Sequence, residues 1–142
     1  MDVLKLPFNE FLGLQLIQQD GREVVCLEAQ DHHQNHVGTV HAAASYALAE
    51  AASGHALLNS IDLPTKEVQA VVRSVTVKYR RPGSGRLSAI GTISPESAIE
   101  FLQKFVERGR AFLTIPVCVS GADGDVLTAD FHWFVTRQDK DS

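Results

Sequence analysis

Residues 38–58 read GTVHAAASYALAEAASGHALL. A run this long and this rich in alanine exceeds a strand and has the composition of a helix, with Thr39 set to cap its start. Ala43, Ala47, Ala51 and Gly54 recur at spacings of three and four, which makes one face flat enough to lie against a sheet. Gly54 costs about 1 kcal/mol of helix propensity against alanine, a cost that close packing would explain.

Working outward, the opening residues through Leu12 suit one short helix ending at Gly13. Leu14 to Ile17 and Val24 to Ala29 then flank Gln19-Asp20-Gly21-Arg22, a hairpin signal. After the helix come Val68 to Tyr79, with Val71, Val75, Val77 and Tyr79 in alternation, a turn at Arg81-Pro82-Gly83-Ser84-Gly85, and Leu87 to Ile93. Pro95 to Arg108 reads as an amphipathic helix carrying Ile99, Leu102, Phe105 and Val106 on one side and ending at Gly109. Ala111 to Val119 and Val126 to Val135 form a last hairpin around Gly121-Ala122-Asp123-Gly124-Asp125. The order predicts an α+β fold in which a mostly antiparallel sheet wraps one long central helix.

The 142 residues suit one domain over 1–142, and 44% hydrophobic with 21% charged residues is ordinary globular composition. A net charge of −4, with thirteen dispersed Lys and Arg, argues against nucleic acid as a partner. No apolar run is long enough to span a membrane and the start lacks a signal-peptide pattern, so a cytoplasmic protein with a small-molecule ligand is expected. Cys26 and Cys118 lie far apart in apolar runs and read as buried thiols. His32, His33, His36 and His41 cluster without a standard ligand spacing, so neither a metal nor a cofactor is expected.

Two features of the helix bear on chemistry. Its first N–H groups lack intrahelical partners and carry the positive end of the dipole, suited to a polarised carbonyl oxygen. Asn35 and Gly38, just before it, add an amide and a glycine that admits close approach. Glu50 stands among Ala49, Ala51 and Ala52, either on a solvated face or as a working carboxylate.

The pattern Asn35-x-x-Gly38-x-x-His41-Ala42-Ala43, followed by Glu50 nine residues after His41, resembles the signature of the PaaI-like hotdog-fold acyl-CoA thioesterases, DUF4442-like members of the hotdog superfamily. Val75 to Pro82, Gly109-Arg110-Ala111 and Asp123-Gly124 carry the resemblance along nearly the whole chain. It implies hydrolysis of an acyl thioester, of the acyl-CoA type, to free acid and thiol by a homo-oligomer, either a dimer or a dimer of dimers. In that reading Glu50 is nucleophile or general base, the Ala42 N–H and Asn35 polarise the carbonyl, and His41 supports the turn. The alternatives are a non-hydrolytic acyl-thioester binding protein and a hotdog dehydratase.

Two departures stand out. His-Gly-Gly of the family is His41-Ala42-Ala43, and the third-strand Ser or Thr of related members is Val72, with Ser74 the nearest hydroxyl and expected on the same strand face. Arg80, Arg81 and Arg86 around the glycine-rich turn suit either coenzyme A phosphates or a solvated turn. Leu57, Tyr46 and Phe101 suit an acyl tunnel or plain core. Independently of family, Ala42 and Glu50 are separated by about 12 Å along a helix, so a single carbonyl that meets both must lie between two chains.

Overall fold

The computed structural model describes residues 1–64 and 66–138. Asp20 and Gly21 adopt φ angles of 52° and 75°, the left-handed pair that a two-residue hairpin requires. Strand β1 (Gln15–Gln19) therefore folds directly back on β2 (Arg22–Glu28), with Gln19 opposite Arg22. Ahead of the hairpin the expected single helix is split. A 3-10 turn at Val3–Lys5 precedes α1 (Pro7–Leu12), since Pro7 has no N–H to carry a helix through it.

The central helix α2 spans Ala42–Ser60 and begins later than expected, capped by His41 rather than Thr39. Thr39 is already committed to Asn35: its N–H donates to Asn35 Oδ1 (3.0 Å) and its Oγ1 accepts from Asn35 Nδ2 (2.8 Å). Beyond an exposed first turn that includes Ala43, α2 is buried on nearly every side, Leu48, Ala49 and Leu57 almost completely. A helix with no single apolar stripe has to be enclosed, and the sheet encloses it.

That sheet is completed by β3 (Val68–Tyr79), β4 (Arg86–Gly91), β5 (Arg110–Gly121) and β6 (Gly124–Arg137), with α3 (Pro95–Arg108) between β4 and β5. Its strand order is β1-β2-β4-β5-β6-β3 with every neighbouring pair antiparallel, the α+β hotdog arrangement expected. The inner face of β5, from Ala111 through Leu113, Ile115 and Val117 to Val119, is buried on alternate residues. A strand glycine leaves the least room between α2 and the sheet of the two glycines at that contact. A Cβ on Gly91 would lie 3.0 Å from both the Ala52 carbonyl and the Ala56 methyl, whereas one on Gly54 would meet Val3 and Trp133 at ordinary distances of 3.4–3.7 Å.

Three expectations are corrected. On α3 the buried residues are Phe101 and Phe105, while Ile99 and Val106 are 57% and 69% exposed. The helix turns its aromatic pair to the core, where Phe105 also receives the Arg137 guanidinium at 5.4 Å. In β3 a bulge falls between Val72 and Ser74, so two residues oppose one on β6 and the strand changes phase. Val71 and Val75 therefore face opposite sides, and so do Val72 and Ser74. Cys26 is fully buried, but Cys118 is only half-buried and lines an outer-face cleft with Arg22, Lys78 and Asp130.

Candidate active site

The loop before α2 is built around Asn35. Its Oδ1 accepts the N–H groups of Val37 and Thr39, both at 3.0 Å, and the Asn35 N–H donates to the Thr39 carbonyl at 2.8 Å. Gly38 closes the turn at φ 78°, a conformation that strains any residue with a Cβ. The Val40 N–H donates to the Gly83 carbonyl (2.9 Å), which ties this loop to the β3–β4 turn.

His41 holds the start of α2 with three groups. Its Nδ1 accepts from the Ala43 N–H (2.9 Å), its carbonyl accepts from Ala44 and Ser45, and its own N–H donates to His33 (2.8 Å). With Nδ1 accepting, the ring proton of the neutral imidazole belongs on Nε2. The neighbouring Ala42 N–H finds no acceptor among the described residues and is solvent-exposed. It is an orphan donor at the positive end of a 19-residue helix.

Asn35, Ala42, Arg80 and Arg81 line one cleft of about 420 Å³. Arg81 is anchored, with Nε donating to the Asp125 carbonyl (2.9 Å) and Nη1 to the Asp123 carbonyl, so it braces the β5–β6 turn. Among the described residues Arg80 is held at Nε alone, by Thr128 Oγ1 at 3.0 Å. Arg86 pairs with Glu28 across β2 and β4. Of the other clustered histidines, His33 is buried, accepts the Gln30 N–H at Nδ1 (3.0 Å) and lies against His32 with the two rings tilted and their centroids 4.0 Å apart.

Glu50 lies in a different cleft, about 350 Å³, with Val3, Leu6, Gly54, Leu57, Val72 and Trp133 on its walls. Its carboxylate has no cation and no hydrogen-bond donor among the described residues, and burial alone pushes its pKa above the ordinary carboxylate range. Glu50 is braced through its backbone: its carbonyl accepts from Ser53 Oγ (2.7 Å), which in turn accepts from Trp133 Nε1 (3.0 Å). Tyr46, one turn earlier, packs its ring 5.6 Å from Phe131. Its phenol is pushed up by burial first and then by the charges of Glu50 and Tyr79.

Ser74 joins neither cleft. The bulge turns it outward opposite His132, while Val72 faces Glu50's cleft. Of the three apolar tunnel candidates only Leu57 lines that cleft, and Phe101 stacks on Phe105 in the core. Trp133 and Val3 were not singled out from sequence. Trp133 falls on the inward phase of β6, the one signal that could have pointed to it.

The sequence matches the DUF4442 family, described as a domain of unknown function, over residues 11–135. The chain belongs to that family. No curated protein is significantly similar to this DUF4442 chain in sequence. Its fold is shared with PA5026 of Pseudomonas aeruginosa, a protein of unknown function described as a probable thioesterase (TM-score 0.80, 21% identity, 96% of this chain and 91% of that one). It is shared too with BH2602 of Bacillus halodurans, solved with CoA (0.72, 22%, 94% and 81%). A third match is a mutant of the thioesterase SAV0944 of Staphylococcus aureus (0.71, 18%, 92% and 99%).

Proposed function

We propose that this DUF4442 chain acts as one hotdog thioesterase-like domain that hydrolyses an acyl thioester, of the acyl-CoA type, with Glu50 as its carboxylate. One observation carries the reading: among the described residues Glu50 is an unpaired carboxylate, half-buried in an apolar cleft, an arrangement that costs stability and has no structural return. The thioesterases among the structural relatives and the CoA held by one of them are consistent with it.

In the reaction, the orphan Ala42 N–H and the dipole of α2 stabilise the negative charge that develops on the thioester oxygen. Either Glu50 takes a proton from the attacking water, or it attacks the carbonyl carbon itself, the thiolate leaves, and water then cleaves the acyl–Glu50 anhydride and frees the carboxylate. In both routes the C–S bond breaks, the acyl group gains the hydroxyl of water, and the thiolate leaves with a proton. Arg80, held at one nitrogen only, is the better placed of the two arginines to meet phosphate at the cleft mouth.

Ala42 and Glu50 line separate clefts and stand about 12 Å apart along α2, so one carbonyl reaches both only across two chains. The twelve-residue β3 ends the sheet with one edge free of partners among the described strands, a template for pairing with a second copy. The proposed enzyme is therefore a dimer, or a dimer of dimers, with a site shared between subunits.

Thiol release from a panel of acyl-CoAs tests this directly. Glu50→Gln should lower turnover at least about 10²-fold with the fold intact. Near-normal turnover in the folded variant would overturn the role of Glu50. A second reading, acyl-thioester binding without hydrolysis, is favoured by Val72, which offers no hydroxyl to hold a water in Glu50's cleft. It predicts acyl-CoA binding with no thiol release.

A further inference from the structure

We infer that the cleft beside Glu50 is the acyl subsite, that it takes an apolar acyl group of medium length, and that Gly54 sets its depth. The inference rests on the thioesterase reading for its occupant but on the cleft's own walls for its selectivity. Among the described residues Glu50 is the one titratable side chain lining it, at one end of a row that continues along α2 through Gly54 to Leu57 and Leu58. Trp133 and Val3 close on Gly54 from opposite elements, the inner face of β6 and the turn before α1.

Length follows from the helix. Glu50 and Leu57 are separated by about 10 Å of axis, which an extended chain of about eight to nine carbons spans, since a zigzag of about 1.5 Å bonds advances about 1.3 Å per bond. The volume, about 350 Å³, lies near the lower end of ligand sites and suits one such chain better than a long fatty acyl group.

Gly54 is the position that decides. A Cβ there would sit at 3.4 Å from Val3 Cγ1 and 3.6 Å from Trp133 Cζ2, ordinary contact that the fold accepts. Alanine would also favour the helix. Packing therefore does not require glycine at this position, and what the missing methyl leaves is depth in the cleft.

Trp133 is the chain's one tryptophan and lines the cleft, so its emission reports occupancy without any chemistry. The probes are straight-chain alkanols from propanol to dodecanol, which carry neither a carbonyl nor coenzyme A. Octanol should shift the Trp133 emission of the wild-type protein, with affinity rising to about eight carbons and then levelling. Gly54→Ala should weaken octanol about 10-fold and lower the octanoyl-to-acetyl ratio of kcat/KM by a similar factor, the scale of one methylene in an apolar pocket. Gly54→Val should do so more severely.

Silent alkanols, or equal octanol affinity in wild-type and folded Gly54→Ala proteins, would overturn the inference even if thioesters are hydrolysed. Alkanol binding with the predicted length dependence but no hydrolysis of any acyl-CoA would instead sustain the cleft and overturn the thioesterase reading.

Discussion

Glu50 shows how one residue reports on both stability and function. It is a carboxyl group whose folded-state pKa is raised by burial, so between the unfolded and folded values the native state holds more protons than the unfolded one. Native stability therefore falls as pH rises through that window. Glu50→Gln removes the titration. Its melting temperature should exceed the wild-type value at neutral pH, and the difference should shrink to little as pH drops below about 4.3, the unperturbed glutamate range. Thermal unfolding from pH 4 to 8 checks this, and a Gln variant no more stable at pH 7 would mean that the carboxylate has a partner. The oddity of a charge among Ala49, Ala51 and Ala52 was legible in the sequence. The bond between Asn35 and Thr39, which displaces the cap to His41, was not, because either residue suits a cap by type.

At the scale of elements, α2 and β4 meet where no side chain intervenes. A methyl on Gly91 would press on the Ala52 carbonyl and the Ala56 methyl at 3.0 Å, atoms of a buried helix with little room to yield. Gly91→Ala should destabilise the protein by about 1–3 kcal/mol, as overpacking does. Denaturant unfolding measures it, and an unchanged midpoint would show that the sheet can move off the helix. Sequence pattern marks small residues on the helix but cannot say which strand approaches it. The bulge at β3 was hidden in the same way: regular alternation places Val71 with Val75 and Val72 with Ser74, and pairing with β6 inserts the extra residue that separates both pairs.

For the whole molecule, the proposed shared site makes a quantitative prediction. Glu50→Gln and Ala42→Pro each disable one half of it, and proline is tolerated in a helix's first turn, so both variants should fold. Mixed and allowed to exchange subunits, about half of the dimers carry one variant of each kind with one intact site of two, so activity should recover to about a quarter of wild type. Activity assays on the exchanged mixture, with exchange confirmed by mass-tagged chains, read this out. No recovery would mean that Ala42 and Glu50 do not serve one carbonyl. The outer clefts and exposed α1 residues Phe8 and Phe11 play no part in this prediction.

By itself, the sequence determined what neighbours along the chain decide: the Asp20-Gly21 turn, α3 between Pro95 and Gly109, the long alanine-rich helix, and Glu50 on it. Turn angles and helix propensity act over about four residues, so they are written locally. Tertiary structure alone decided which face of α3 is buried, where β3 slips register, that Arg81 braces a turn 42 to 44 residues away, and that Gly54 opens onto Trp133. Each of these depends on a partner brought near by the sheet's β1-β2-β4-β5-β6-β3 order, and strand pairing across such distances leaves no mark in the periodicity of either strand.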